Sequence, residues 1–169
     1  MAASTVRKTK RDTTITLTDG AGSPNTLALT LDRGDLSISI PGPNIVRDDP
    51  RGVIGATPAL RKGDDRPMSV SFTARVADFS DGTDEILTDW ALKDDFGAGW
   101  TSTLDASGNA EVLAIHVDVG VEGTDHGDSA DHSFRLPHCT GEWELSEGAD
   151  FWELSFSGTS HSVRPGALA

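Results

Sequence analysis

Tyrosine is absent from this 169-residue chain, aromatic residues make up only 6% of it, and there is a single cysteine, Cys139. One cysteine excludes an intrachain disulfide and any zinc site built on several thiolates. Cys139 reads as a small, half-buried strand residue. A catalytic thiol needs a nearby base, and the adjacent His138 would point to the opposite face of an extended strand. A chain without disulfides suits a reducing cytoplasm. The scarcity of aromatics argues against a carbohydrate-stacking platform or a base-stacking surface, and Trp143 and Trp152 are expected in the core. No apolar run reaches the roughly 18 residues of a membrane helix. The start, MAASTVRKTKRDT, has no apolar stretch behind its basic residues, so it does not read as a secretory signal, and no membrane partner is expected.

Basic residues are also short: 14 Lys and Arg stand against 27 Asp and Glu, a net charge of −13. The imbalance is uneven. Arg7, Lys8, Lys10 and Arg11 precede the first acid, so residues 12–169 carry ten basic residues against 27 acids, a balance of −17. Such a body repels nucleic acid, whose binding requires a concentrated basic face. Four charges in a short N-terminal arm, residues 1–12, make only salt-sensitive contacts.

What the chain does have is two-residue alternation. In TTITLTDGAGSPNTLALTLD (13–32), Ile15 and Leu17 alternate with threonines, and Leu27, Leu29 and Leu31 resume the pattern after a turn, predicting a hairpin with one buried face. DLSISIPG (35–42) alternates Leu36, Ile38 and Ile40 against serines until Pro41. MSVSFTARVADF (68–79) alternates Val70, Phe72, Ala74 and Val76. VLAIHVDVGVEG (112–123) places Leu113, Ile115, Val117 and Val119 inward, with Ala114, His116 and Asp118 outward, so that His116 is expected at the surface. HSFRLPHCTGEWELSEG (132–148) and DFWELSFSGTS (150–160) read as two more strands around a Ser146–Asp150 turn. GWTSTLDASGNAE (99–111) reads as a turn-rich hairpin with its tip at 107–109. Only SDGTDEILTDWALKDD (80–95) has helical spacing, through Ile86, Leu87, Trp90 and Ala91, and it predicts a helix over 83–92.

The total is seven or eight strands and one helix in a single domain over 13–160, followed by a loose tail at 161–169. The expected fold is mainly β: an antiparallel β-sandwich or flattened barrel with one flanking α-helix. Residues 44–67, NIVRDDPRGVIGATPALRKGDDRP, show no clear periodicity yet carry dispersed aliphatics, unlike a disordered linker. This segment is expected to be an extended loop or hairpin that orders against something outside the protomer. Its candidate contact residues are Ile45, Val46, Arg47, Val53, Ile54, Leu60 and Arg61.

The densest set of potential ligands is GTDHGDSADHS (123–133). Asp125-His126-Gly127-Asp128 breaks the order of an EF-hand loop, and His126 and His132 lie too far apart for a helical zinc pair. A charged connection between strands is the better reading, and no metal, cofactor or catalytic residue is assigned. There is no nucleophile elbow, phosphate loop or dinucleotide fingerprint. Acid pairs such as Asp48-Asp49, Asp64-Asp65 and Asp94-Asp95 read as solvated turns. Nothing in this points to an enzyme.

An early hairpin leads into DLSISIPGPN, a long loop leads into LRKGDDRPMSVSFTARVADF, and a helical DEILTDWAL follows. A strand with an acidic Gly/Asp loop then precedes two strands joined by an S-E-G turn, in VDVGVEGTDHGDSADHSFRLPHCTGEWELSEGADFWELSFSGTS. This order resembles the tail-tube (major tail) proteins of long-tailed, non-contractile phages and their gene-transfer-agent relatives, from about Thr13 to Thr159. The resemblance implies hexameric rings stacked head-to-tail into a hollow tube through which DNA passes. Self-association, a tape-measure protein, a tail terminator and distal tail or baseplate proteins are the partners it implies, in a virion tail assembled in the bacterial host cytoplasm. The excess of acid would line the lumen and keep DNA from adhering. Three alternatives remain: a monomeric β-sandwich module binding carbohydrate or a host surface, a small metal-dependent enzyme using the Asp/His loop, and a neighbouring tail-completion protein of similar fold.

Overall fold

A computed structural model of the chain describes residues 13–31, 35–48, 59–75, 99–104, 111–122, 131–147, 150–162 and 165–166. Nine strands lie within them: β1 (Thr13–Thr18), β2 (Thr26–Leu31), β3 (Ser37–Ser39), β4 (Ile45–Asp48), β5 (Ala59–Lys62), β6 (Met68–Arg75), β7 (Ile115–Val121), β8 (His132–Glu147) and β9 (Trp152–Ser160). The protein is mainly β, and every strand pairing is antiparallel. The helix expected over 83–92, residues 76–79, the 107–109 tip, the N-terminal arm and the acidic 123–130 loop fall outside the described residues.

Seven strands form one sheet in the order β2–β1–β7–β8–β9–β6–β3, and β2 also pairs with β6 through Thr30–Arg75 and Leu31–Ala74. The sheet therefore curls round its apolar face. That face is the one the alternation marks: Ile15, Leu17, Leu27, Met68, Val70, Phe72, Ala74, Ile115, Val117, Val119, Leu136 and Phe156 join one buried cluster. Each large side chain among them contributes about 1.5–3 kcal/mol through burial. Ile40 departs from expectation. The β3–β6 ladder ends at Ser39–Ser69, so Ile40 has no strand beside it and is exposed.

The centre of the core is a cross-strand row. Phe72 on β6 faces Phe156 on β9, which faces Trp143 on β8. Ring centroids lie 5.3 Å apart for Phe72–Phe156 and 4.6 Å for Phe156–Trp143, with Trp143 edge-on to Phe72 at 6.0 Å. The next row along is Val70–Gly158–Gly141. A Cβ on Gly158 would collide with the Phe156 ring and with Thr140 O, and one on Gly141 would collide with Ser157 O. Gly158 thus leaves room for the Phe156 ring, and Gly141 for the close approach of the β9 backbone.

β8 is sixteen residues long and serves two partners. Its first half pairs with β7 and its second with β9. The hand-over is a β-bulge: Pro137 and His138 together oppose His116, between the Ile115–Cys139 and Val117–Leu136 pairs. Proline, which has no N–H for a ladder, fits at such a break. His138 takes a positive φ of 52°, uncommon for a residue with a side chain. The bulge carbonyls are satisfied by β9's end, where Ser160 donates its hydroxyl to Pro137 O (2.6 Å) and the His161 N–H donates to His138 O (3.1 Å). Beyond β9 the chain returns to β8, and Gly166 exchanges both backbone hydrogen bonds with Arg135 (2.7 and 2.8 Å).

Alanine normally outperforms glycine in a strand, so the glycine row makes a contrary prediction. Gly141→Ala and Gly158→Ala are each expected to lower stability by about 1–3 kcal/mol through overpacking. Urea unfolding with an unchanged m-value is the measurement that checks it.

Candidate interaction surface

The aliphatic segment 44–67 contains a hairpin, β4–β5, with Ile45 opposite Lys62, Val46 opposite Arg61, Arg47 opposite Leu60 and Asp48 opposite Ala59. Gly63 N–H closes its root on Asn44 O at 2.7 Å. Among the described residues β4 and β5 pair only with each other, and all eight of their residues are exposed. Ile45 is 62% exposed, Val46 49% and Leu60 67%. Residues directly across a ladder share a face, so one face presents Ile45, Leu60, Arg47 and Lys62. The other presents Val46, Ala59, Arg61 and Asp48. Each face mixes aliphatic surface with cationic heads. Of the seven candidate contact residues, the hairpin brings together Ile45, Val46, Arg47, Leu60 and Arg61, while Val53 and Ile54 lie outside the described residues. Lys62, absent from that set, joins them across from Ile45. It could have been found only from the register, because strands exposed on both faces impose no alternation on the sequence.

A second apolar patch lies at the far end of β8–β9. The inner-face rows Phe156–Trp143 and Leu154–Leu145 continue to Trp152–Glu147, one row beyond the last residue of β6. Trp152 was expected in the core, yet it is 44% exposed, with Leu145 and Phe151 exposed beside it. The row of Trp152 lies one step past Arg75, the last described residue of β6. Arg75 at the end of β6 stacks over the Phe151 ring at 4.2 Å.

Two stretches of sheet edge have no strand beside them among the described residues. β3 pairs only with β6, and β8 from Thr140 to Glu147 pairs only with β9. Open edges present unpaired backbone groups to a further strand. On the face opposite the core, β6, β9 and β8 present Ser71, Thr73, Ser155, Ser157, Glu142 and Glu144 around a shallow depression of about 290 Å³, closed at one side by Asp35.

A buried polar cluster lies on the outer side of β7. Its expected outward residues are covered: Ala114 and Asp118 are buried and His116 is half-buried. The cover is residues 99–104, whose Thr103 N–H donates to Ala114 O (2.8 Å), together with Arg135 from β8. Segment 99–104 is itself pinned by the buried Asp19, which accepts hydrogen bonds from the Thr101 N–H (3.1 Å) and the Asn25 N–H (2.8 Å). Arg135 grips Asp118 with both arms of its guanidinium (2.6 and 2.7 Å), and Thr18 donates to the same carboxylate (2.9 Å). The hydrogen bond to Asp118 raises the Arg135 pKa, outweighing burial. Removing one partner would strand a buried charge.

His116 and His138 stack at 5.3 Å between ring centroids, and the His138 N–H reaches His116 Nδ1 (3.4 Å). Burial lowers the His116 pKa to about 4, aided by the positive charges of Arg135 and His138 and opposed by Asp118 and Asp19. Cys139 is fully buried rather than half-buried; burial pushes its thiol up to about 12, and it donates to Leu136 O (3.3 Å). A thiol held protonated is a poor nucleophile. These groups form a packed structural network. Among the described residues, no group of three His, Cys, Asp or Glu side chains converges as a metal-ligand set. Asp125, His126 and Asp128 are outside them.

The chain matches no family model and no curated protein.

The His116 shift has a definite sign. Between its ordinary pKa of 6.5 and the folded value of about 4, the unfolded chain binds a proton that the folded chain does not. Stability is therefore complete above pH 6.5 and declines as pH falls through that window. His116→Gln removes this component. Relative to it, the unmodified protein is expected to lose about 1–2 kcal/mol by pH 4, after allowance for solvent screening of a half-exposed ring. Thermal unfolding of both proteins across the window measures the difference.

Proposed function

We propose that the protein is a structural subunit that self-assembles into hexameric rings stacked head-to-tail, forming the hollow tail tube of a phage or gene-transfer-agent particle. The observation that carries this reading is the β4–β5 hairpin, a two-stranded ribbon exposed on both faces with Ile45, Val46 and Leu60 in solvent. An isolated two-stranded hairpin is at best marginally stable in water, and one bearing aliphatics on both faces gains its cover by docking on another subunit. The open edges of β3 and of Thr140–Glu147 support the same reading, since strands of neighbouring copies would cap them. So does the hydroxyl- and carboxylate-bearing face of β6, β9 and β8, along which DNA slides without the counterion release that basic residues would provide. Tape-measure, terminator and distal tail proteins are the further partners of this proposal.

A second reading, a monomeric module binding carbohydrate or a host surface, draws on the depression between Asp35, Glu142 and Glu144. Its walls offer hydroxyls and carboxylates but little exposed aromatic surface, so stacking on a sugar ring has little to work with.

Electron microscopy and sedimentation of the purified chain discriminate between them. Rings or hollow tubes are expected, whereas a monodisperse monomer at every concentration would overturn the proposal. Replacing residues 45–62 by a short Gly-Ser linker is expected to leave the circular dichroism of the sheet and its melting temperature unchanged while abolishing tubes. Normal tubes from that variant would remove the hairpin from the assembly.

A further inference from the structure

The two exposed apolar patches are opposite in charge and in position. The strands of the hairpin carry Arg47, Arg61 and Lys62 against one acid, Asp48, on a chain whose net charge is −13. From Cys139 to Ser160 there are five acids, Glu142, Glu144, Glu147, Asp150 and Glu153, and no Lys or Arg. Two of them, Glu147 and Asp150, are exposed beside Leu145, Phe151 and Trp152. Arg75 lies nearby, engaged over Phe151 and opposite Glu153 in the ladder.

Strand register places the two patches at opposite poles. The hairpin springs from the connections 40–44 and 63–67, next to Ser39–Ser69 and to Met68, which faces Ser160. The acidic patch lies beyond Arg75–Glu153 at the other end of β6. β6 is eight residues long, so about 24 Å of strand separates the hairpin's root from the acidic end. Within one copy the hairpin's root and the acidic end are therefore apart, and two copies oriented the same way bring the root end of one against the acidic end of the other.

We infer that the β4–β5 hairpin of one copy docks on the acidic, aromatic end of β8–β9 of a second copy. Ile45 and Leu60 lie against Leu145, Phe151 and Trp152, with Arg47 and Lys62, on the same hairpin face, opposite Glu147 and Asp150. This inference rests on the self-assembly reading and supplies its axial contact. The interface is heterologous: each copy keeps a free hairpin at one pole and a free acidic end at the other, which generates an open stack rather than a closed dimer. The hairpin's own ion pairs do not compete strongly. Arg61–Asp48 is 3.9 Å long and Lys62–Asp65, at 2.6 Å, lies on an exposed surface, and such pairs contribute about 0–1 kcal/mol. Complementary charge at the rim favours association and fixes its polarity.

Charge reversal at each pole tests it. Arg47→Glu with Lys62→Glu, and separately Glu147→Lys with Asp150→Lys, are each expected to raise the concentration for half-assembly by roughly tenfold or more, and the association of the unmodified chain is expected to weaken with salt. The two variants differ at opposite poles, so mixing them restores one good interface per pair and yields short capped species without long stacks. The fourfold variant, reversed at both poles, is expected to regain stacking. Circular dichroism and melting temperature confirm that each variant is folded before it is scored. If the unmodified chain associates but either reversal leaves association unchanged, or the folded fourfold variant fails to recover, this docking is wrong and the self-assembly reading stands. If the unmodified chain never associates, the self-assembly reading itself fails.

Discussion

The structure depends on β8 being shared. A strand of sixteen residues cannot be flanked along its whole length by both β7 and β9, because those strands are seven and nine residues long. The Pro137-His138 bulge manages the change of partner. It re-aims the strand, releases one ladder position to a residue that has no N–H, and brings His138 against His116. Everything on the two sides of the bulge follows from this division. Toward the N-terminal half, β7 and β8 hold the Asp118–Arg135 pair. Toward the C-terminal half, β8 and β9 carry the aromatic row into the core and continue to the Glu147–Trp152 pair.

The far end of β8–β9 connects packing to function. There Trp152 and Leu145 keep the inner-face pattern yet lie at the surface among acids. At the other end of β6, the chain leaves the sheet to build a ribbon that pairs with no further strand among the described residues. Both features cost solvation in a monomer, which is the physical basis of the proposed assembly.

Alternation in the sequence was a sound guide where one face is buried. Ile15 and Leu17, Val70, Phe72 and Ala74, and Leu154 and Phe156 all lie where a period of two puts them. It failed where burial is two-sided or absent. His116, Ala114 and Asp118 alternate with apolar residues in the manner of an exposed face, yet a crossing segment and an arginine from the next strand cover them. Ile45, Val46, Arg47, Leu60 and Arg61 belong to four-residue strands with no buried side, so no periodicity distinguished them from loop, although their aliphatic content already marked the segment as one that needs a surface.

The sequence alone determined the class of the fold, the inner faces of most strands, the excess of acid and the aliphatic character of residues 44–67. These are local or additive properties, legible from neighbours along the chain. Tertiary structure alone decided which polar groups are enclosed, that Leu145 and Trp152 are exposed, and that the root of the basic hairpin and the acidic end occupy opposite ends of β6. Each of these depends on the register and length of strands far apart in sequence, and no single segment carries that information because it exists only in how the segments are paired.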